Sequence, residues 1–153
     1  MQVYDFSMLS NGELESRTKE GAARDRRAQG ERLAQLAEID TRRLYAERGY
    51  SSMFSYCLME LKYSESRAGR WVSAARTARA YPQVFRLIES GALNVTRICQ
   101  IAHTLDGENA ERLISGSLGK NRYEIDKLLA AEHPTADTKD RLCALPQRTP
   151  VST

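Results

Sequence analysis

The excess positive charge of this 153-residue chain lies in one stretch, whose arginine side chains could bind a polyanion. Between Ser64 and Gln100 there are six arginines and two glutamates, which give the stretch a net charge of +4, whereas the whole chain carries +3. The residues before it hold ten basic and ten acidic side chains and are neutral overall. A basic segment on an otherwise balanced chain is typical of a surface that binds nucleic acid. The arginines are Arg67, Arg70, Arg76, Arg79, Arg86 and Arg97.

Residues 52–73 predict two helices joined by a tight turn, the arrangement of a helix-turn-helix. In such a motif the second helix enters the major groove of DNA and contacts base edges from its N-terminal half. Tyr63 would fill the turn, while Ala68 and Trp71 would face the first helix, which can approach closely because alanine is small. Lys62 occupies the turn position at which glycine is usual.

The outer face of the second helix carries the residues that we expect to contact DNA. On a helical wheel the apolar stripe is Ala68, Trp71, Val72 and Ala75, and the opposite face is Ser66, Arg70, Ser73 and Thr77, with Arg67 and Arg76 at the sides. Arginine and hydroxyl groups can contact bases or phosphates, and a capped helix N-terminus suits a phosphate. We assign Ser66, Arg67 and Arg70 to base contact and Ser64, Arg76 and Arg79 to phosphate. The predicted DNA-binding residues are therefore Ser64, Ser66, Arg67, Arg70, Ser73, Arg76 and Arg79; the alternative is an ordinary core helix with a solvated basic face.

The residue types that most often support catalysis form no constellation. His103 and His133 lie on separate predicted helices, each near a helix end, where an imidazole usually interacts with the helix dipole or with solvent. The cysteines form no close pair and have no evident base nearby, so Cys57, Cys99 and Cys143 are expected to be buried thiols. No glycine-rich loop could cradle a nucleotide phosphate. We expect no catalytic residue, no metal site and no cofactor.

Amphipathic segments separated by Gly, Pro, Asn and Ser predict an all-α, multi-helix domain with a long N-terminal helix. Strand patterns are almost absent. The first helices are expected at 13–19 and 20–47, and a further one runs from Ser52 to Leu61. Later helices are expected to begin at Ser64, Pro82, Asn94, Asp106 and Asn121, where capping residues or a first-turn proline occur.

The chain is predicted to form one helical domain at 1–134, with a helix-turn-helix-like core at 51–104. Residues 24–32 are nearly all polar, and Gly30 costs about 1 kcal/mol relative to alanine in a helix. We therefore expect 1–35 to form an extended arm, either solvated or serving as a dimer strut. The polar composition after Pro134 predicts a disordered tail at 135–153.

Composition also indicates where the protein resides. No apolar run approaches the roughly 18 residues of a membrane-spanning helix, and the first residues lack the basic and apolar regions of a secretory signal. The odd number of cysteines argues against a disulfide framework. We expect a cytoplasmic protein that does not enter a membrane.

Residues 37–132 resemble the helical N-terminal region of bacterial HNH-type endonucleases. The resemblance rests on RRLYAERGYSSMFSYC at 42–57 and on the runs YSES, AAR, YPQV and GAL between Tyr63 and Leu93. The stretch 63–102 also resembles the DNA-binding core of ParB-like partition proteins, where a serine-capped recognition helix precedes a helix that proline begins. An HNH nuclease module needs histidine and metal ligands on a ββα hairpin, and no His-Asn-His pattern or CxxC pair occurs here. The resemblance implies a DNA-targeting part without its catalytic module.

Together these observations predict an all-α DNA-binding module without intrinsic catalysis. A homodimer through the polar half of the long N-terminal helix is also predicted, since such modules often bind spaced half-sites as dimers. Two alternatives stay open. The chain could be a non-catalytic subunit or remnant of an HNH endonuclease that acts with a nuclease partner, or a protein-interaction domain whose basic helix binds an acidic partner.

Overall fold

A computed structural model describes residues 4–132 of the chain. Within that range all regular structure is helical, which confirms the predicted all-α class and the long N-terminal helix. None of the described helices is long and apolar enough to cross a membrane. His133, Cys143, Pro134 and the predicted tail lie outside the described residues. The helices are α1 (Asn11–Arg42), α2 (Leu44–Glu47), α3 (Met53–Met59), α4 (Glu65–Ala80), α5 (Gln83–Ser90), α6 (Val95–Ala102), α7 (Ala110–Ser117) and α8 (Arg122–Glu132).

Helix α1 is one continuous helix where two were predicted. Its start is fixed by a capping box: the Glu13 N–H donates to Ser10 Oγ, and the Ser10 N–H donates to a Glu13 carboxylate oxygen. The predicted break near residue 20 was wrong because Gly21 alone only weakens a helix and does not end it. The predicted extension to Glu47 was also wrong, since Arg43 has φ 54° and separates α1 from α2.

Only the first part of α1 is exposed along its whole surface. Residues 10–20 are all exposed, whereas Gly30 and Leu33 are buried, so the fully exposed stretch is shorter than the arm predicted at 1–35. Gly30 lies against α5: a Cβ there would be 2.8 Å from Cγ of Glu89. The glycine that looked costly to the helix therefore permits close approach of α1 and α5.

Helix α4 is the central element of the core and packs against α1, α3, α5 and α6. Its buried residues are mostly small: Ala68, Ala74, Ala75 and Ala78, with Trp71, Val72 and Thr77. Alanines allow several helices to approach one axis closely, which is why α4 is buried on more than one side. The sequence placed Thr77 on an outer face, and this was wrong; its hydroxyl donates to the Ser73 carbonyl in the packed half of the helix.

The turn between α3 and α4 uses Lys62 where glycine is usual. Lys62 has φ 58°, in the left-handed region that glycine adopts without steric cost. Helix α3 ends at Met59 and not at the predicted Leu61, because this turn needs the residues before Ser64. The Tyr63 N–H donates to the Cys57 carbonyl, which holds the turn against the preceding helix. Ser64 Oγ accepts from the Arg67 N–H, as its capping role predicted.

The remaining helix boundaries follow local signals. Gly91 ends α5 with φ 83°, and Asn94 caps α6 by accepting from the Arg97 N–H. Asn121 and Glu124 form the predicted capping box of α8. Asp106 accepts from the N–H groups of Glu108 and Asn109 in the turn that precedes α7, and the regular helix begins at Ala110, four residues later than predicted.

Candidate nucleic-acid interface

Two cations of the predicted DNA-binding set, Arg67 and Arg70, lie in the first two turns of α4. Ser64, Ser66, Arg67 and Arg70 are all exposed. Neither Arg67 nor Arg70 forms an ion pair within residues 4–132. These side chains therefore present uncompensated positive charge beside the N-terminus of a 16-residue helix, whose dipole adds to the attraction for anions.

Arg67 is held over two aromatic rings. Its guanidinium carbon is 4.3 Å from the ring centroid of Tyr63 and 5.5 Å from that of Trp71. The two rings lie against each other with their centroids 6.0 Å apart. A cation–π contact at an exposed site contributes about 0.5–1 kcal/mol and leaves the guanidinium N–H groups available. The stack thus orients Arg67 without neutralising it.

The other two arginines of the predicted set have acidic partners on α1. Arg76 Nε donates to Asp40 Oδ2 at 2.9 Å and Arg76 Nη2 donates to Asp40 Oδ1 at 3.2 Å, so the pair is bidentate. The hydrogen bond to Asp40 raises the pKa of Arg76 above its ordinary value. Arg79 donates to the Ala37 carbonyl and lies 3.9 Å from a carboxylate oxygen of Glu38. The structure thus separates Arg76 and Arg79, which join α4 to α1, from Arg67 and Arg70.

Ser73 does not lie on an open face with Arg70. It is half-buried at the contact between α4 and α6, close to Cys99, whose thiol donates to the Arg70 carbonyl at 3.1 Å. Burial raises the pKa of the Cys99 thiol, and the hydrogen bond with Ser73 opposes this only in part. Burial likewise raises the pKa of Cys57. Both thiols are therefore held in the protonated form, and Ser73 is less accessible than Arg67 and Arg70.

Two adjoining depressions that the sequence did not predict lie along the exposed start of α4 and share Gln29, Arg67 and Trp71. We call the pair the Arg67 groove; it is lined by Asp25, Ala28, Gln29 and Arg32 of α1, by Tyr63, Arg67, Arg70 and Trp71, and by Asn94, Val95 and Thr96 at the start of α6. Arg32 Nε donates to the neutral Gln35, so the positive charge of Arg32 remains uncompensated. The groove brings together three arginines and one carboxylate, that of Asp25. Glu65 does not line it.

Tyr63 contributes a second feature to this groove. Its hydroxyl is buried and has no hydrogen-bond partner within the described residues. A buried polar group without a partner costs about 1–3 kcal/mol, so such groups are uncommon unless something satisfies them. The sequence placed Tyr63 in the turn but gave no signal for the burial of its hydroxyl, which depends on tertiary packing.

Other candidate chemistry is sparse in the part of the chain that the structure describes. No three His, Cys, Asp or Glu side chains between residues 4 and 132 converge as metal ligands. His103 is exposed at the end of α6, as predicted, and lines a shallow depression with Phe54, Gly69 and Arg76.

Comparison with known proteins assigns this chain to no family, because no family model, curated protein or solved structure matches it. The resemblance to HNH-associated and ParB-like proteins therefore stays a prediction.

Proposed function

We propose that this protein is a DNA-binding module that contacts DNA through the start of α4. The observation that carries the proposal is the pair Arg67 and Arg70, exposed on one helix end and without an acidic partner among residues 4–132, while Arg76 and Arg79 are paired with α1. Charge left uncompensated at one place on a folded surface favours a polyanionic ligand.

In this proposal the N-terminal turns of α4 enter the major groove. Helix α3 and the turn at Lys62 precede them in the chain. Arg67 and Arg70 contact guanine edges or phosphates, and Ser64 and Ser66 lie at the same helix end, where backbone N–H groups favour a phosphate. The orientation of Arg67 over Tyr63 and Trp71 supports the proposal, since a guanidinium fixed before binding loses less conformational entropy on contact.

Fluorescence anisotropy with a labelled random-sequence duplex tests the proposal. We expect micromolar binding at low salt whose log-log salt slope is about −4 to −5, corresponding to roughly four to six phosphate contacts. Arg67→Ala/Arg70→Ala should abolish most of that binding, whereas Arg42→Ala/Arg112→Ala removes the same charge from paired surface arginines and should change it little. Absence of binding by the unaltered protein at low salt would reject the proposal in favour of an acidic protein partner.

We further propose that DNA binding serves to target a separate nuclease, as the resemblance to HNH-associated proteins implies. On this view the chain delivers a catalytic part or partner and does not itself cut. A plasmid-nicking assay with Mg²⁺ separates this role from intrinsic nuclease activity: the purified chain should leave supercoiled plasmid intact, and metal-dependent nicking by it would contradict the targeting role.

We also propose that a second copy pairs with the exposed part of α1. Glu13, Arg17, Glu20 and Arg24 follow one another at spacings of four, three and four residues, so they share one side of the helix. The order acid, base, acid, base becomes its opposite when the helix is reversed, so two antiparallel copies would place unlike charges together. The half-exposed Phe6 and Leu14 lie in the same depression as Arg17, Glu20 and Arg24 and offer apolar area to the contact.

A further inference from the structure

We infer that a phosphodiester backbone lies along the Arg67 groove, so that Arg32 of α1 and the start of α6 bind DNA together with α4. The inference rests on the proposed function and extends it from one helix to three elements. Arg32 and Arg67 line one depression and Arg67 and Arg70 line the adjoining one, and Gln29, Arg67 and Trp71 belong to both. A row of cations along a groove fits a chain of phosphates better than a single anion.

The start of α6 completes the other end of the groove. Asn94 caps this helix with its side chain, and Thr96 follows in the first turn. Backbone N–H groups of a first helical turn favour phosphate oxygens, and here they lie beside Arg70 rather than alone.

The one carboxylate that lines the groove gives a prediction in the opposite direction to that for the arginines. Asp25 lies on the same stretch of α1 as Arg32 and would repel phosphates that follow the groove. Removing its charge therefore strengthens binding if DNA passes there. If DNA contacts only α4, substituting Asp25 or Arg32 changes the affinity for DNA no more than removing any distant charge does.

The experiment measures anisotropy with the same random-sequence duplex across a salt series. We expect Arg32→Ala to weaken binding about three- to tenfold and to make the salt slope about 1 less steep. Thr96→Glu should weaken binding while keeping α6 folded, because a carboxylate is favourable in a first helical turn. Asp25→Asn should tighten binding. Arg42→Ala, an exposed arginine on the same helix outside the groove, is the matched control and should leave both quantities nearly unchanged.

The outcomes separate the inference from the function on which it rests. If the unaltered protein binds and Arg67→Ala/Arg70→Ala does not, yet Arg32→Ala, Thr96→Glu and Asp25→Asn all behave like Arg42→Ala, the DNA proposal stands and the groove is rejected. If the unaltered protein does not bind, both are rejected. Circular dichroism of each variant establishes that it is folded before its affinity is compared.

Discussion

At the scale of single residues, the molecule keeps a left-handed conformation at a residue that does not favour it. Lys62 adopts φ 58° in the turn that sets where α4 begins. An L-residue with a side chain pays roughly 1–2 kcal/mol for this conformation, and glycine pays almost none. The steric cost is borne next to the proposed DNA contacts, since Tyr63 and Ser64 follow directly.

Lys62→Gly is therefore expected to stabilise the protein by about 0.5–1 kcal/mol in the free energy of unfolding. The relief of strain exceeds the extra entropy that glycine gives the unfolded chain, which is roughly 0.4–1 kcal/mol. Urea denaturation measures the difference. Gly49→Ala provides the reverse control, because Gly49 has φ 86° and alanine there should destabilise by about 1 kcal/mol. A lower unfolding midpoint for Lys62→Gly would show that the lysine side chain itself stabilises the turn.

At the scale of helices, the structural features that the sequence predicted correctly depend on residues close together in the chain. The caps at Ser64 and Asn94 and the box at Asn121 each involve residues three apart, so local pattern was sufficient. The features that escaped prediction join distant residues: Arg76 and Asp40 are 36 positions apart. A helical wheel predicts one packed side for α4. It cannot show that α1 and α6 pack against two sides of this helix.

The contact between α1 and α5 gives a prediction at this scale. Gly30→Ala should fail to provide the roughly 1 kcal/mol by which alanine normally stabilises a helix, because the new Cβ would lie 2.8 Å from Cγ of Glu89. In a Glu89→Ala background the same change should recover that stabilisation. Gly21→Ala is the matched control on the same helix, where a Cβ meets only Arg24 Nη2 at 3.8 Å and alanine should stabilise fully.

Thermal or urea unfolding of the four variants of this cycle gives the coupling between Gly30 and Glu89 directly. Equal stabilisation by Gly30→Ala and Gly21→Ala would mean that the Glu89 side chain moves aside without cost. The close approach of α1 and α5 would then not depend on glycine.

At the scale of the whole molecule, a compact helical core carries a helix that extends beyond it. Residues 10–20 are exposed throughout, and an isolated helix of that length is marginal in water. Opposite charges four residues apart, as at Glu13 and Arg17, add only about 0.2–0.5 kcal/mol per pair. A second copy alongside would explain how such a segment is maintained, which is the reason for testing self-association.

Charge-reversed variants test the antiparallel pairing. Glu13→Lys/Glu20→Lys makes the four-residue row entirely basic, and Arg17→Glu/Arg24→Glu makes it entirely acidic. Each variant alone should be monomeric because like charges would meet, whereas an equimolar mixture should form a heterodimer that high salt weakens. Sedimentation velocity distinguishes these states. This antiparallel arrangement would be excluded if each variant formed dimers by itself, or if the mixture stayed monomeric.

The alanine packing of α4 has a consequence for how this protein could change. Its inward positions are filled by small side chains among other helices, so enlarging them would cost about 1–3 kcal/mol each. Its outward positions at 65, 66, 69 and 70 are exposed, and substituting them leaves that packing intact. Substitutions on the packed side of α4 therefore act on stability, whereas substitutions on the opposite side change the exposed surface and leave the core as it is.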